Sequence, residues 1–427
     1  LEKELREEGM LPVYQSLYGD MIMPLFGMNM RGLPVDMDRL TKVQTEYMDM
    51  IEQYKKEIAI ESGCVIFTDA AEQKAYLKDT KADESAVPSI NIASPKQVSD
   101  LLYNKMSMAP YKDKSTNKKN MEALAYKYKS KVPTHIIEIR AAKKSIGLFS
   151  EENIVDGRAK CEYALHRTNT GRIASRKGRG RGGMNLQNVK TGETRRFFTA
   201  EEGHLFVNAD QKQAEALIVG WYSKDRGMQA LGKDGKSIHV ERGKQLYGPD
   251  FGKGHPAYRI IKGTVHGGNY GLGPRTFALM TGLPFAEAKA ALDSYHHDFP
   301  GIRNTFHKYV KDEINRSRAL YNPFGRREIF LNRIDEKTYR AGFAFLPQST
   351  STDVNKTALK RIAKYYQVLL DTHDGIAISV PKTELLYAAE ALKEAYHVKF
   401  NIWGEAHTIP IEITFGPNWE DQEVIEI

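Results

Sequence analysis

The stretch "HLFVNADQKQAEALIVGWYS", residues 204–223, decides how the chain is read. It begins as a short apolar run of the kind that makes a buried strand, and the run ends on an acid, Asp210. From Gln213 onward, "QAEALIVGWYS" continues as an apolar helix. A strand of this sort carries a carboxylate to the edge of a buried sheet. A second acid has the same setting: Asp374, in "THDGIAISV" at residues 372–380, stands directly before another apolar run. Singly, each is an ordinary turn or cap residue, since Asp-Gly turns are common. Brought together, the two would repel unless a divalent cation lay between them. Two Mg²⁺ ions about 3.5–4 Å apart, held by carboxylates, are a standard way to drive in-line attack on phosphorus. Mg²⁺ keeps waters and shares phosphate oxygens, so two protein carboxylates are enough.

Between the acids lies "YRIIKGTVHGGNYGLGPRTF", residues 258–277. Arg259, Lys262, His266 and Tyr270 are spaced three, four and four apart, which puts them on one face of a helix. That face offers two cations for a polyphosphate and two flat rings for a base; an ordinary solvated basic face has the same spacing. Gly263, Gly267 and Gly268 weaken such a helix by about 1 kcal/mol each relative to Ala, which points to close approach by a ligand or to a movable helix. The glycines do not form a phosphate-binding loop, and there is no dinucleotide fingerprint.

Working outward, residues 20–150 read as mostly helical. Met21, Met23, Met28 and Met30 form a stripe expected to pack in the core. A long amphipathic helix follows "PVD", and Ser94 with Pro95 opens another. "LYNPFGRREIFL" reads as a tight turn between short strands. "STDVNKTALKRIAKYYQVLL" reads as one long helix capped near Ser351. "GIAISV" and "IPIEITF" read as strands, with a helix around "KTELLYAAEALKEAYHV" between them. A sheet core with helices, interrupted by a helical insertion and preceded by a helical arm, makes an α+β fold.

The 427 residues suffice for two to four domains or lobes, and net charge is +8. Residues 167–196 hold nine Arg or Lys against one acid, Glu193, and so carry the whole excess. Arg and Gly interleaved with Ser, Thr, Asn and Gln suit a backbone laid against phosphates, which favours a nucleic acid partner. The two cysteines, Cys64 and Cys161, exclude a disulfide scaffold or thiolate zinc site and fit a reducing compartment. No apolar stretch approaches the roughly 20 residues a membrane span needs, so a soluble protein is expected, with no membrane partner. The chain starts without Met, so a fragment or processed product is expected.

Seven stretches, in order over about residues 20–420, resemble the polymerase portion of the family A DNA polymerases. "TNTGRIASRKGRGRGGMNLQNVK" is similar to the family's T-x-T-G-R-L-S-S…N-L-Q-N stretch, with the Arg-Gly run at 176–183 as extra length. "NADQKQAEALIVG" resembles its first carboxylate motif and "KGTVHGGNYG" its fingers helix. "NPFGRRE", "PQSTSTD", "THDGI" and "PIEITFGPNWED" resemble its later palm elements. The resemblance implies a right-hand fold: palm edge at 1–25, thumb at 26–150, palm at 151–222, fingers at 223–336, and the second part of the palm at 337–427.

It also implies roles. Asp210 and Asp374 would hold two Mg²⁺ ions, with the Gln211 carbonyl helping and Mn²⁺ as a substitute. Lys262 would bind the triphosphate and protonate pyrophosphate, and Gln213 and His239 would reach the triphosphate too. His266 would stack near sugar and base, Tyr270 would sit beside the templating base, and Glu215 would exclude a ribose 2′-hydroxyl. Arg172, Gln187, Gln348 and His373 would contact the primer–template. The family usually has an Arg where Tyr258 stands, and Arg259 would reach the γ-phosphate from a shifted register. Gly375 stands where the family has Glu, leaving a two-carboxylate site. The partners implied are primer–template DNA and dNTPs, with an upstream or separate exonuclease, a helicase or a processivity factor as further candidates. The divergent fingers motif leans towards a phage-type member, placed in the host cytoplasm; a bacterium or an organelle are the other sources that fit. A single-subunit RNA polymerase shares the acids, the lysine and the tyrosine, but Glu215 argues against it. A non-catalytic primer–template binding module would have a disrupted acid pair.

Overall fold

The computed structural model describes residues 2–80, 87–110, 113–150, 152–178 and 183–426. Arg179 and Arg181 of the basic run lie outside the described residues. The chain divides into two compact units, Val35–Gly157 and a larger one of Leu1–Pro34 with Arg158–Ile427.

The smaller unit is mostly helical. Helix α1 (Met37–Ser62) starts where the Asp36 carboxylate accepts the Arg39 backbone N–H at 2.9 Å, and it stops at Gly63, whose φ of 65° is left-handed. Helix α2 (Pro95–Asp100) opens as expected, with the Ser94 hydroxyl accepting the Gln97 N–H and Pro95 at the first position. Ile51 and Ile58 of α1 meet Ile136 and Ile139 of α3 (Val132–Leu148) in one apolar core. The parallel strands Val65–Phe67 and Ser89–Asn91 add Ile66 and Ile90, which are paired in register.

The larger unit is built on an antiparallel sheet of β1 (His204–Gln211), β2 (Gln367–Asp371), β3 (Gly375–Pro381), β4 (Ile411–Gly416) and β5 (Glu423–Val424). Their order is β2-β3-β1-β4-β5, so the strand that carries Asp210 is central. Strand β3 is buried from Gly375 to Val380, which accounts for the unbroken apolar run in "GIAISV". Helix α4 (Ala214–Ser223) leaves the end of β1. The helical insertion contributes α5 (Ile238–Tyr247), α6 (Tyr258–Asn269) and α7 (Phe285–Asp298). Helices α8 (Glu336–Ile362) and α9 (Leu385–Tyr396) pack on the sheet.

Two sequence expectations are corrected. The helix expected to begin near Ser351 begins at Glu336, with the Asp335 carboxylate accepting the Thr338 N–H at 2.9 Å, and it runs 27 residues through Pro347. The Ser/Thr run imitates a cap, but the Thr350 hydroxyl donates back to the Leu346 carbonyl at 2.7 Å inside a continuous helix. The same helix stops at Ile362, and "QVLL" is strand β2. The methionine stripe is only half core: Met21 and Met28 are buried, whereas Met23 is 71% and Met30 51% exposed. Two residues span about 200° of a helix, so the pairs look in opposite directions.

The hairpin of Ala319–Tyr321 and Arg327–Ile329 forms as expected. Arg326, in its turn, is buried against Asp353 of α8, donating from Nε at 2.9 Å and Nη2 at 2.7 Å, with Nη1 on the Tyr18 hydroxyl. Removing one partner would strand the other charge, at a cost of roughly 3–5 kcal/mol.

Candidate active site

Asp210 lies near the end of β1, flanked in register by Gly375 of β3 on one side and Glu412 of β4 on the other. Asp374 sits in the turn before β3, and its carbonyl accepts the Gln211 N–H at 2.9 Å. The turn is tight: the Thr372 N–H reaches the Gly375 carbonyl, and His373 has a φ of 81°. Burial first, then Asp374 and Glu412, push the Asp210 carboxyl up to about 7, with Arg195 opposing them. Burial also raises Asp374. Two neighbouring acids that resist ionising side by side, open to the solvent of a cavity, suit a bound cation.

Gly375 makes the approach possible. A Cβ there would fall 2.7 Å from Asp210 Oδ1 and from Thr372 Oγ1. The glycine in "THDGI" is thus required by packing against Asp210. Among the described residues, no group of three acids, histidines or cysteines comes together closely enough to hold a metal ion.

The acids open on a cavity of about 480 Å³ that also meets Glu215, His239, Lys262 and His266. Lys262 and His266 come from α6, as their spacing predicts, and they border a second cavity of about 570 Å³ with Arg259 and Tyr270. The Tyr270 hydroxyl donates to Glu215, and Arg172 Nη2 pairs with the same carboxylate at 2.6 Å. Burial and the Glu215 charge raise the Tyr270 pKa. Gln348 also bonds with Tyr270. His239 and His266 have ring centroids 5.4 Å apart. Burial pushes His239 down to about 3 and also lowers His266, so both rings are neutral near pH 7.

The glycines of α6 also have a packing role. A Cβ on Gly268 would fall 2.3 Å from the Tyr295 ring of α7, and one on Gly267 would fall 3.2 Å from Leu272. Gly268 thus lets α6 pack closely on α7, while Gly263 and Gly267 also line the second cavity.

Several amides are engaged within the protein. Gln211 donates to the Ser351 carbonyl at 3.0 Å and accepts the Ser351 hydroxyl. Gln213 holds the start of α5 through the Ile238 N–H and the Lys236 carbonyl. Gln187 accepts the Ser175 N–H and donates to Asp371 Oδ2 at 2.8 Å. His373 is half-buried, and its Nδ1 has no hydrogen-bond partner among the described residues. Arg259 donates to the Met280 carbonyl at 3.3 Å and does not line the cavity of the acids.

Sequence reasoning missed Asp371, Glu412 and Lys253. Asp371 is buried, accepts from Gln187 and from Asn355 Nδ2 at 2.8 Å, and takes the His373 N–H, which braces the turn carrying Asp374. Burial pushes its carboxyl up to about 7. The alternation in "IPIEITF" could have flagged Glu412 as a neighbour of Asp210, because cross-strand partners share a face. For Lys253 the sequence carries no signal.

An acid-bearing antiparallel sheet, a helical insertion with a cationic helix over the acids, and a helical unit of its own describe a right-hand polymerase. The family model described as DNA polymerase family A matches residues 66–421, and the chain belongs to that family. DNA polymerase I of Deinococcus radiodurans is 26% identical over 442 residues, covering 95% of this chain and 42% of that protein. DNA polymerase I of Helicobacter pylori is 22% identical over 400 residues, covering 89% and 41%. The DNA polymerase of Mycobacterium phage D29 is 31% identical over 201 residues, covering 46% and 32%. The chain thus spans about two fifths of the length of the bacterial relatives. The POL domain of Pol1 from M. smegmatis, solved in complex with DNA primer-template and dNTP, superposes with a TM-score of 0.78 at 21% identity. That likeness covers 98% of this chain and 72% of that one, and it bears on the fold.

Proposed function

We propose that this chain carries out template-directed DNA synthesis, joining a dNTP to a primer 3′-hydroxyl with release of pyrophosphate. The observation that supports it most is the meeting of Asp210, Asp374 and Lys262 in one cavity of a family A chain. Two neighbouring carboxylates that open on the cavity offer the hard oxygen donors that Mg²⁺ or Mn²⁺ prefers, so the residues fit a divalent site. When bound, such ions supply charge neutralisation at the phosphates and a more acidic primer hydroxyl.

The protein's own residues do the rest. Lys262 reaches the cavity from α6, binds the triphosphate and delivers a proton to pyrophosphate. Neutral His239 and His266 flank it, His239 towards the triphosphate with Gln213, His266 under sugar and base. Glu215, held by Arg172 and Tyr270, is a fixed wall where a 2′-hydroxyl would fall. Tyr270 releases Glu215 as the templating base enters. Arg172, Gln348 and His373 face the primer–template, and Gln187 supports them through Asp371. The Gln211 carbonyl would join the two aspartates in holding the ions. The sheet unit serves as palm, the helices of the 223–336 insertion as fingers, and Val35–Gly157 is the candidate for the thumb expected at 26–150. No helix among the described residues is long and apolar enough to cross a membrane.

Extension of one primer–template with dNTPs and with rNTPs tests this reading. Incorporation of dNTPs, with rNTPs gaining use in Glu215→Ala, is expected. Equal use of both by the unaltered chain would contradict the role of Glu215, and no incorporation would contradict the function.

A further inference from the structure

Four acids line the cavity that holds Asp210: Asp210 itself, Asp374, Glu215 and Glu412. Glu215 is paired with Arg172, and Glu412 with Lys212 at 3.3 Å. Two lining cations remain outside any ion pair among the described residues, Lys262 and Lys253. A nucleoside triphosphate brings about four negative charges, and one lysine cannot balance the end that lies away from the acids.

Arg259 is badly placed to help. It is one position, or about 100°, round α6 from Tyr258, and Tyr258 is the residue that faces the cavity beside Lys262. The Arg259 guanidinium sits with Met280 and Thr281 on the second cavity.

Lys253 comes from the loop between α5 and α6 and is exposed. The loop is anchored on both sides of it: Phe251 is buried, with its ring 4.6 Å from the His255 ring and 5.6 Å from that of Tyr247. Between these anchors, Gly252 and Gly254 flank Lys253 with open space around each. The ammonium is therefore tethered at the mouth of the cavity yet free to follow a ligand. A lysine on such a tether suits a terminal phosphate, which it can meet as a point charge from several directions.

We infer that Lys253 binds the outermost phosphate of the incoming nucleotide and shares the triphosphate with Lys262. The inference rests on the polymerase reading and adds a residue to its nucleotide site. It is tested by single-nucleotide extension kinetics of Lys253→Ala, Lys253→Arg and Arg259→Ala, and by fluorescence titration of each with one dNTP. Lys253→Ala should raise KM and the dNTP Kd about tenfold, with kcat within about threefold. Lys253→Arg should recover most of the loss. Unchanged KM and Kd in Lys253→Ala, or a tenfold rise in Arg259→Ala alone, would overturn it. No extension by the unaltered chain would instead fail the polymerase reading, and the titration would still decide whether Lys253 binds a triphosphate.

Discussion

Gly375 is the residue on which the acid pair turns. Any side chain there meets Asp210 Oδ1 and Thr372 Oγ1 at 2.7 Å, so Asp210 must give way or the turn must shift. Overpacking of this kind costs about 1–3 kcal/mol. Gly375→Ala is accordingly expected to lower kcat by about tenfold or more while the protein keeps its fold, measured by extension kinetics beside a thermal melt. Wild-type kcat in that variant would show that the close approach does not matter. At this scale the sequence was informative where chemistry follows from local setting. Asp210 and Asp374 each border an apolar run, and Lys262 and His266 share a helix face with Tyr270. It was uninformative where a side chain's partner is remote. Nothing near Gln187 in sequence says that Asp371 takes its amide, and nothing near Tyr258 says that the helix turns Arg259 away from the acids.

Among the elements, α8 and its neighbours hold a titratable contact. His307 shares its ring N–H contact with the Asn269 carbonyl at 2.7 Å and stacks on Phe343 of α8 at 3.9 Å. Burial pushes this histidine down to about 4, Arg303 and Lys311 add to the effect, and Glu336 opposes it. Its folded pKa lies below the unfolded value of about 6.5, so the unfolded chain binds the proton more tightly. The contact's stability is complete above pH ~6.5 and is lost as pH falls towards 4. His307 therefore contributes a fall in the urea midpoint between pH 6.5 and 4, beside the contributions of the other shifted groups, and His307→Gln should change the slope by roughly one proton. A slope unchanged by the substitution would assign this titration elsewhere. Most elements could be read from periodicity and capping residues, as Asp36, Ser94 and the strand "GIAISV" illustrate. The start of α8 could not, because Ser and Thr hydroxyls that cap helices also bond backward inside them, and burial alone decides which they do. The glycines of α6 show a related ambiguity: close packing, as of Gly268 on Tyr295, and close approach to a ligand leave the same mark in a sequence.

For the whole molecule, the order of seven motifs conveyed more than any one of them, and it identified the family that the comparisons show. The division at Val35 and Gly157 was less legible, because the short strand Leu33–Pro34 stands between two helical stretches of similar composition. The charge excess in residues 167–196 has a consequence at this scale. If that segment lies along phosphates, affinity for a primer–template should fall at least tenfold between about 50 and 200 mM salt, read by fluorescence anisotropy. A flat response would remove the segment from the interface. The central claim is that Asp210 and Asp374 together hold the ions that drive nucleotide addition. The most direct measurement is single-turnover extension by the unaltered chain, Asp210→Asn and Asp374→Asn across a Mg²⁺ titration, with primer–template affinity measured on the same samples. The account predicts extension that requires Mg²⁺ in the unaltered chain, and a loss of at least about a thousandfold in either variant with DNA affinity retained. Extension at the unaltered rate in either variant would contradict it.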